Sequence, residues 1–147
     1  MDDFDAYSWH DNHVHAFRIR EGAHGTGEHV LDLDYILEWL SVPEGPFRFR
    51  VAPATLTFHG VVALRLSLDY AILSAGMTPF SIQGIEREVH LYDNGLSSFR
   101  WRIPINWPEG EITFIASGFT QVLRAAPLEY PDACITPAAR PPEPTGA

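Results

Sequence analysis

The chain has 147 residues, 46% of them hydrophobic and 20% charged, with a formal net charge of −9. That length favours a single domain able to bury a core, and the composition is that of a globular fold. The acidic balance, with no basic stripe, excludes nucleic acid and anionic membrane surfaces as expected partners.

In chain order, the acidic start "MDDFDAYSWHD" has no basic region followed by an apolar run, so no secretory leader is expected. A first strand is predicted over 13–20, after the histidine-rich stretch "WHDNHVH" (9–15). "EGAHGTGE" (21–28) has three glycines and reads as a hairpin loop. In "HVLDLDYILEW" (29–39), Leu31, Leu33, Tyr35, Leu37 and Trp39 alternate with Asp32, Asp34 and Glu38. That is strand periodicity up to Tyr35. Residues 36–40 also fit a helical stripe and stay open between the two.

"SVPEGPF" (41–47) is a turn, followed by strands at 47–52 and 54–59 with Pro53 as a break or bulge between them. "VVALRLSLDY" (61–70) gives the clearest alternation. Val62, Leu64, Leu66, Leu68 and Tyr70 fall on one face, and Ala63, Arg65, Ser67 and Asp69 on the other. Strands follow at 81–92, 98–105 and 111–117, with "NWPEG" (106–110) as a turn. Pro104, which cannot donate to a ladder, implies an edge or bulge.

The turn in "YDNGL" (92–96) is decided by register. A two-residue Asn94-Gly95 loop sets Glu88 opposite Trp101. A three-residue loop, Asp93-Asn94-Gly95, instead pairs Glu88 with Arg100, Glu86 with Arg102, Val89 with Phe99 and Ile85 with Ile103. Matched charges and apolar faces favour the longer loop, with Gly95 in the left-handed region. After Pro127 periodicity is lost. The predicted organisation is an all-β domain over 1–127 and a Pro-rich irregular or disordered tail over 128–147. The fold class is a single antiparallel β-sandwich or partly closed barrel of about 7–8 strands.

One cysteine, Cys134, permits no intramolecular disulfide. With no apolar run long enough for a membrane helix, the expected location is cytoplasmic. Cys134 has no base near it in the pattern, no serine occupies a Gly-x-Ser-x-Gly elbow, and "GAHGTG" (22–27) lacks the strand–helix unit of a dinucleotide site. No residue is therefore expected to be catalytic. Asp32 and Asp34 share a strand face and are read as a solvated face answered by arginines. Trp39 and Trp101 fall on apolar strand faces and are predicted core. Trp9 and Trp107 lie in connections, as lids or as a binding rim.

His13 and His15, two apart in a strand, are predicted on one face with Phe17 and Ile19. Such a pair at the rim of an apolar face can begin a metal site, completed by His10, Asp11, His59, His90 or Glu21. The simpler reading makes Trp9-His10-Asp11-Asn12 a polar cap on the first strand. Either way Trp9, His10, Asp11, His13, His15 and Trp107 are the candidate binding residues.

His13-Val14-His15 resembles the first motif of the cupins, in which His-x-His precedes a glutamate and a glycine. Here Glu21 and Gly22 follow, five residues separate His15 from Glu21, and the motif's leading glycine is missing. Pro108-Glu109-Gly110 is similar to the second cupin motif, though Thr113 stands where its histidine would. This resemblance implies a divalent metal such as zinc, iron or nickel on His13, His15 and Glu21, and a metal-dependent enzyme as the alternative function. Trp9-His10-Asp11-Asn12, "LDLDYILEW" (31–39) and "PATLTFHGVVALRLSLD" (53–69) resemble a loose group of small bacterial β-proteins, some found among toxin-immunity genes. That resemblance implies a non-catalytic binding or accessory protein, of immunity type, with a protein or small-molecule partner and no cofactor. It transfers no functional residue.

Overall fold

The computed structural model describes residues 3–41, 43, 48–137 and 139. Among them there is no α-helix, and no helix long and apolar enough to cross a membrane. The strands are β1 (His13–Glu21), β2 (Gly27–Leu40), β3 (Arg48–Leu68), β4 (Phe80–Ile82), β5 (Glu86–Leu91), β6 (Ser97–Trp107), β7 (Gly110–Ala116), β8 (Gly118–Leu123) and β9 (Leu128–Tyr130). Every pairing is antiparallel. β1, β4, β6, β7, β3 and β2 close a ring, while β5 extends from β6, and β8 and β9 from β3. The fold is thus all-β and partly closed, as expected, with short outlying strands added to the ring.

The predicted hairpin forms in the predicted register. Glu86 pairs with Arg102, Glu88 with Arg100 and Val89 with Phe99, and Gly95 takes φ +86°. The charge pairing extends further than expected: Arg102 donates to Glu86 at 2.9 Å and to Glu111 at 3.1 Å. The predicted strand over 81–92 divides into β4 and β5, because residues 83–85 face only 103–104 of β6, one residue too many for the ladder, although Gln83 N still donates to the Pro104 carbonyl. Residues 118–123, not predicted as strand, form β8 against β3.

Pro53 does not interrupt β3, which runs unbroken from Arg48 to Leu68. The N and C=O of one residue point to the same side of a strand. The Pro53 carbonyl accepts from Arg124 N, on the side where β9 ends and β8 begins, so no ladder bond needs the missing N–H. Pro104 sits likewise opposite the junction of β4 and β5. β3 bends instead at Gly60 (φ +64°) and Ala63 (φ +56°), with a register shift between Val62 and Arg65.

The ring is filled by Leu31, Leu33, Leu56, Phe58, Ile82, Trp101, Ile103, Ile112 and Phe114, all buried. Trp9 also packs there, so it is a lid on the core, with its Nε1–H on Gln121 Oε1 at 2.8 Å. Phe4 seals the same side against Trp101 and Phe119, and the Arg87 guanidinium lies 4.3 Å from the rings of both Phe4 and Phe99.

Three expectations are corrected. β2 stays extended to Leu40, which settles 36–40 as strand, yet Trp39 is 47% exposed and not core. It stands at the far end of the β2–β3 hairpin, beyond the ring, against Phe49. Asp32 and Asp34 are fully buried, not solvated. Asp32 lies against Arg18 and Arg124; for Asp34 the reason is the third correction, that part of the expected tail reaches it. Residues 128–130 form β9, Ile135 is buried, and Ile135 N donates to Asp34 Oδ2 at 3.0 Å. Residues 138 and 140–147 of that tail lie outside the described residues.

Candidate functional site

The opening histidine-rich stretch splits by role. His10 is exposed, its Nδ1–H donates to the Gln83 carbonyl at 3.0 Å, and its Nε2 lies 3.3 Å from Asp11. Asp11, at φ +60°, accepts from Asn106 Nδ2 at 2.8 Å. Asn12 is buried, and its Oδ1 accepts from Ile36 N at 3.4 Å. These bonds tie the segment leading into β1 to β2, β4 and β6, a more distant set of partners than the local cap expected from sequence.

His13 and His15 do not continue into Phe17 and Ile19. A bulge between Val14 and Ala16 adds a residue to β1 and reverses the alternation. His13 pairs with Asp34, and His15 Nε2 lies 3.9 Å from Asp34 Oδ1, on the outer face. Phe17 and Ile19 pair with Leu31 and His29. His15 Nε2 also accepts from Arg124 Nη2 at 3.0 Å, which requires the neutral tautomer protonated on Nδ1. Asp32 accepts from Arg18 and from Thr55. Burial pushes the Asp32 carboxyl up; the Arg18 and Thr55 hydrogen bonds and the Arg18 and Arg124 charges outweigh burial and hold it below the usual carboxylate range. The cluster sets two carboxylates against two guanidiniums, and Asp34 ties it to Ile135.

Among the described residues, no three His, Cys, Asp or Glu side chains gather as metal donors. Glu21 lies at the far end of β1, opposite Gly27. Six residues of strand place it about 20 Å along the chain from His15. His59 is engaged by Glu28 and Thr120, and His90 by Arg100. Trp107, 46% exposed, closes β6 opposite Ser81, which on its other side pairs with His13, so Trp107 and His13 stand in one row with β4 between them.

A concave, apolar surface does exist, and β1 is one wall of it. From Ala16 to Glu21, β1 pairs only with β2, because β4 reaches just His13 and Val14. From Val62 to Leu68, β3 pairs only with β7, because β2 ends at Val61. These two stretches face each other across a seam without pairing. Two hollows lie along it. One, of about 470 Å³, lies between Val14–Phe17 of β1 and Leu68, Tyr70 and the 77–80 segment. The other, of about 430 Å³, lies between Ile19–Glu21 and Val61–Leu64. The bend at Gly60 and Ala63 carries β3 off β2 and so creates the seam.

The seam's inner rows are incompletely covered. Phe17 is 44% and Ile19 65% exposed, and Leu64, Leu66 and Leu68 are half-buried. Tyr70 closes one end by donating its hydroxyl to the Thr78 carbonyl at 2.8 Å. Beside it Leu73 and Met77 stand exposed. The alternation of 62–70 was readable in the sequence. That its strand would lack a second neighbour was not, because the lack is set by where β2 ends.

No family model, no curated protein and no solved structure matches the chain.

Proposed function

We propose that this chain is a non-catalytic binding protein of the accessory kind, and that the seam between β1 and β3 is its binding surface. The immunity-type role implied by the resemblance to small bacterial β-proteins is one form of this reading. The single observation that supports it is the seam itself, where two apolar walls, open between them, line a concave surface; the other exposed apolar side chains, such as Val89 and Leu91 of β5, line none of the hollows. Contiguous exposed apolar surface on a globular protein marks an interaction site, and a concave apolar site with few polar groups is the usual form of one. The buried carboxylate cluster does not compete as an active site, since Asp32 is engaged by Arg18 and Thr55 and Asp34 by the Ile135 N–H.

The test is saturable binding of an uncharged apolar dye, Nile red, to the native protein. We expect one class of site, weakened at least tenfold by Phe17→Asp or Ile19→Asp. Both positions are exposed, so the fold survives the substitution. Absence of saturable binding overturns the reading. So does stoichiometric zinc, iron or nickel in protein purified without an affinity tag, if it is lost on His13→Gln; the metal-dependent alternative would then stand.

A further inference from the structure

Resting on that reading, we propose that the occupant of the seam is an extended segment of a partner polypeptide, which adds as a strand and completes the ring. The first reason is the backbone. Ala16–Glu21 and Val62–Leu68 each pair on one side only, so each turns a row of N–H and C=O groups toward the seam. An acyl chain would cover the apolar rows and leave both sets of polar groups without partners. An extended peptide satisfies both, which is the physics of strand addition.

The second reason is width. The Cα traces of β1 and β3 run more than 8 Å apart along almost the whole seam. A strand lies about 4.8 Å from each neighbour, so walls more than 8 Å apart are too distant to bond each other, and a strand between them needs about 9.6 Å. Two hydrogen-bonded neighbours would stand at half that spacing.

The third is pattern. Phe17 and Ile19 on one wall, and Leu64, Leu66 and Leu68 on the other, repeat every second residue. A guest with apolar side chains at alternate positions presents them to this floor and its other side chains to solvent. The hollows set Val14–Phe17 near Leu68 and Ile19–Glu21 near Val61, so the walls run in opposite directions. The guest is antiparallel to one wall and parallel to the other.

Charge selects the solvent-facing residues. Arg18 and Arg20 are held by Asp32 and Glu28 and Arg65 stands exposed at mid-seam, while Glu21 at one end of the seam and Asp69 at the other expose their carboxylates. With a net charge of −9, the chain steers cationic partners. The guest is therefore a segment alternating apolar and basic residues.

The experiment titrates the full chain with a synthetic peptide alternating valine and lysine. Its controls are the same peptide with N-methylated backbone amides and a block peptide of identical composition. Calorimetry reads affinity, and amide hydrogen exchange reads location. We expect binding of the alternating peptide, at least tenfold loss on N-methylation or in the block sequence, and slowed exchange confined to 16–21 and 62–68. Ile19→Asp should abolish it. Equal binding of the N-methylated peptide overturns strand addition and leaves the binding reading intact, as does Nile red binding without peptide binding. Protection at β8 in place of the seam also overturns it. A self-associated dimer that Ile19→Asp dissociates would identify a second copy as the occupant and overturn the partner assignment. Failure of both dye and peptide overturns both proposals.

Discussion

His29 lies inside the ring against Phe58 and Phe114, fully buried, with neither ring nitrogen hydrogen-bonded. Burial pushes its pKa down from 6.5 to about 4. The unfolded chain therefore binds a proton that the folded chain refuses between those values, and stability falls as pH drops through that window. A shift of this size removes about 2 kcal/mol between pH 7 and 4.5. His29→Leu should flatten the loss by that amount when urea midpoints are compared at the two pH values; parallel slopes would refute a neutral core histidine. Asp32 works in the same direction. Its carboxyl is held low, so its contribution is present above the ordinary carboxylate range and lost as acid protonates it. Asp32→Asn removes the carboxylate beside the largely buried Arg124 and should cost about 3 kcal/mol in urea unfolding at pH 7. A cost below 1 kcal/mol would mean that Arg124 finds water instead.

Each element is held by a local device whose legibility differs. The β5–β6 hairpin could be read because charge pairs and turn chemistry agree within a few residues. Gly95→Val should cost about 1–2 kcal/mol, since a β-branched residue resists φ +86°. An unchanged melting temperature would mean the loop relaxes to another turn. β8 was missed because "GFTQVL" is short and its pairing with β3 is distant in sequence. The segment after Pro127 was missed for a related reason: it is anchored by three paired residues, the Glu129–Arg48 ion pair, the Ile135 N–H on Asp34 and one apolar side chain, none of which makes a period. Ile135→Ala should cost about 2–4 kcal/mol and speed amide exchange in β9, because Ile135 is fully buried. If exchange in β9 is unaffected, Ile135 does not anchor that segment.

At the scale of the whole molecule, the seam is a product of unequal strand lengths. β3 outruns β2, and β4 is too short to flank β1, so the ring closes at one end and stays open along one side. The sequence by itself determined the strand class, the alternation of 61–70 and 98–105, and the 93–95 turn, because side-chain period and turn geometry are local properties. Only the tertiary structure decided that Asp32 and Asp34 are buried, that a bulge sets His13 and His15 apart from Phe17 and Ile19, and that two apolar walls stand open. Each of these depends on which strand lies beside which. That is settled by pairings between residues far apart in the chain, and no local pattern encodes a missing neighbour.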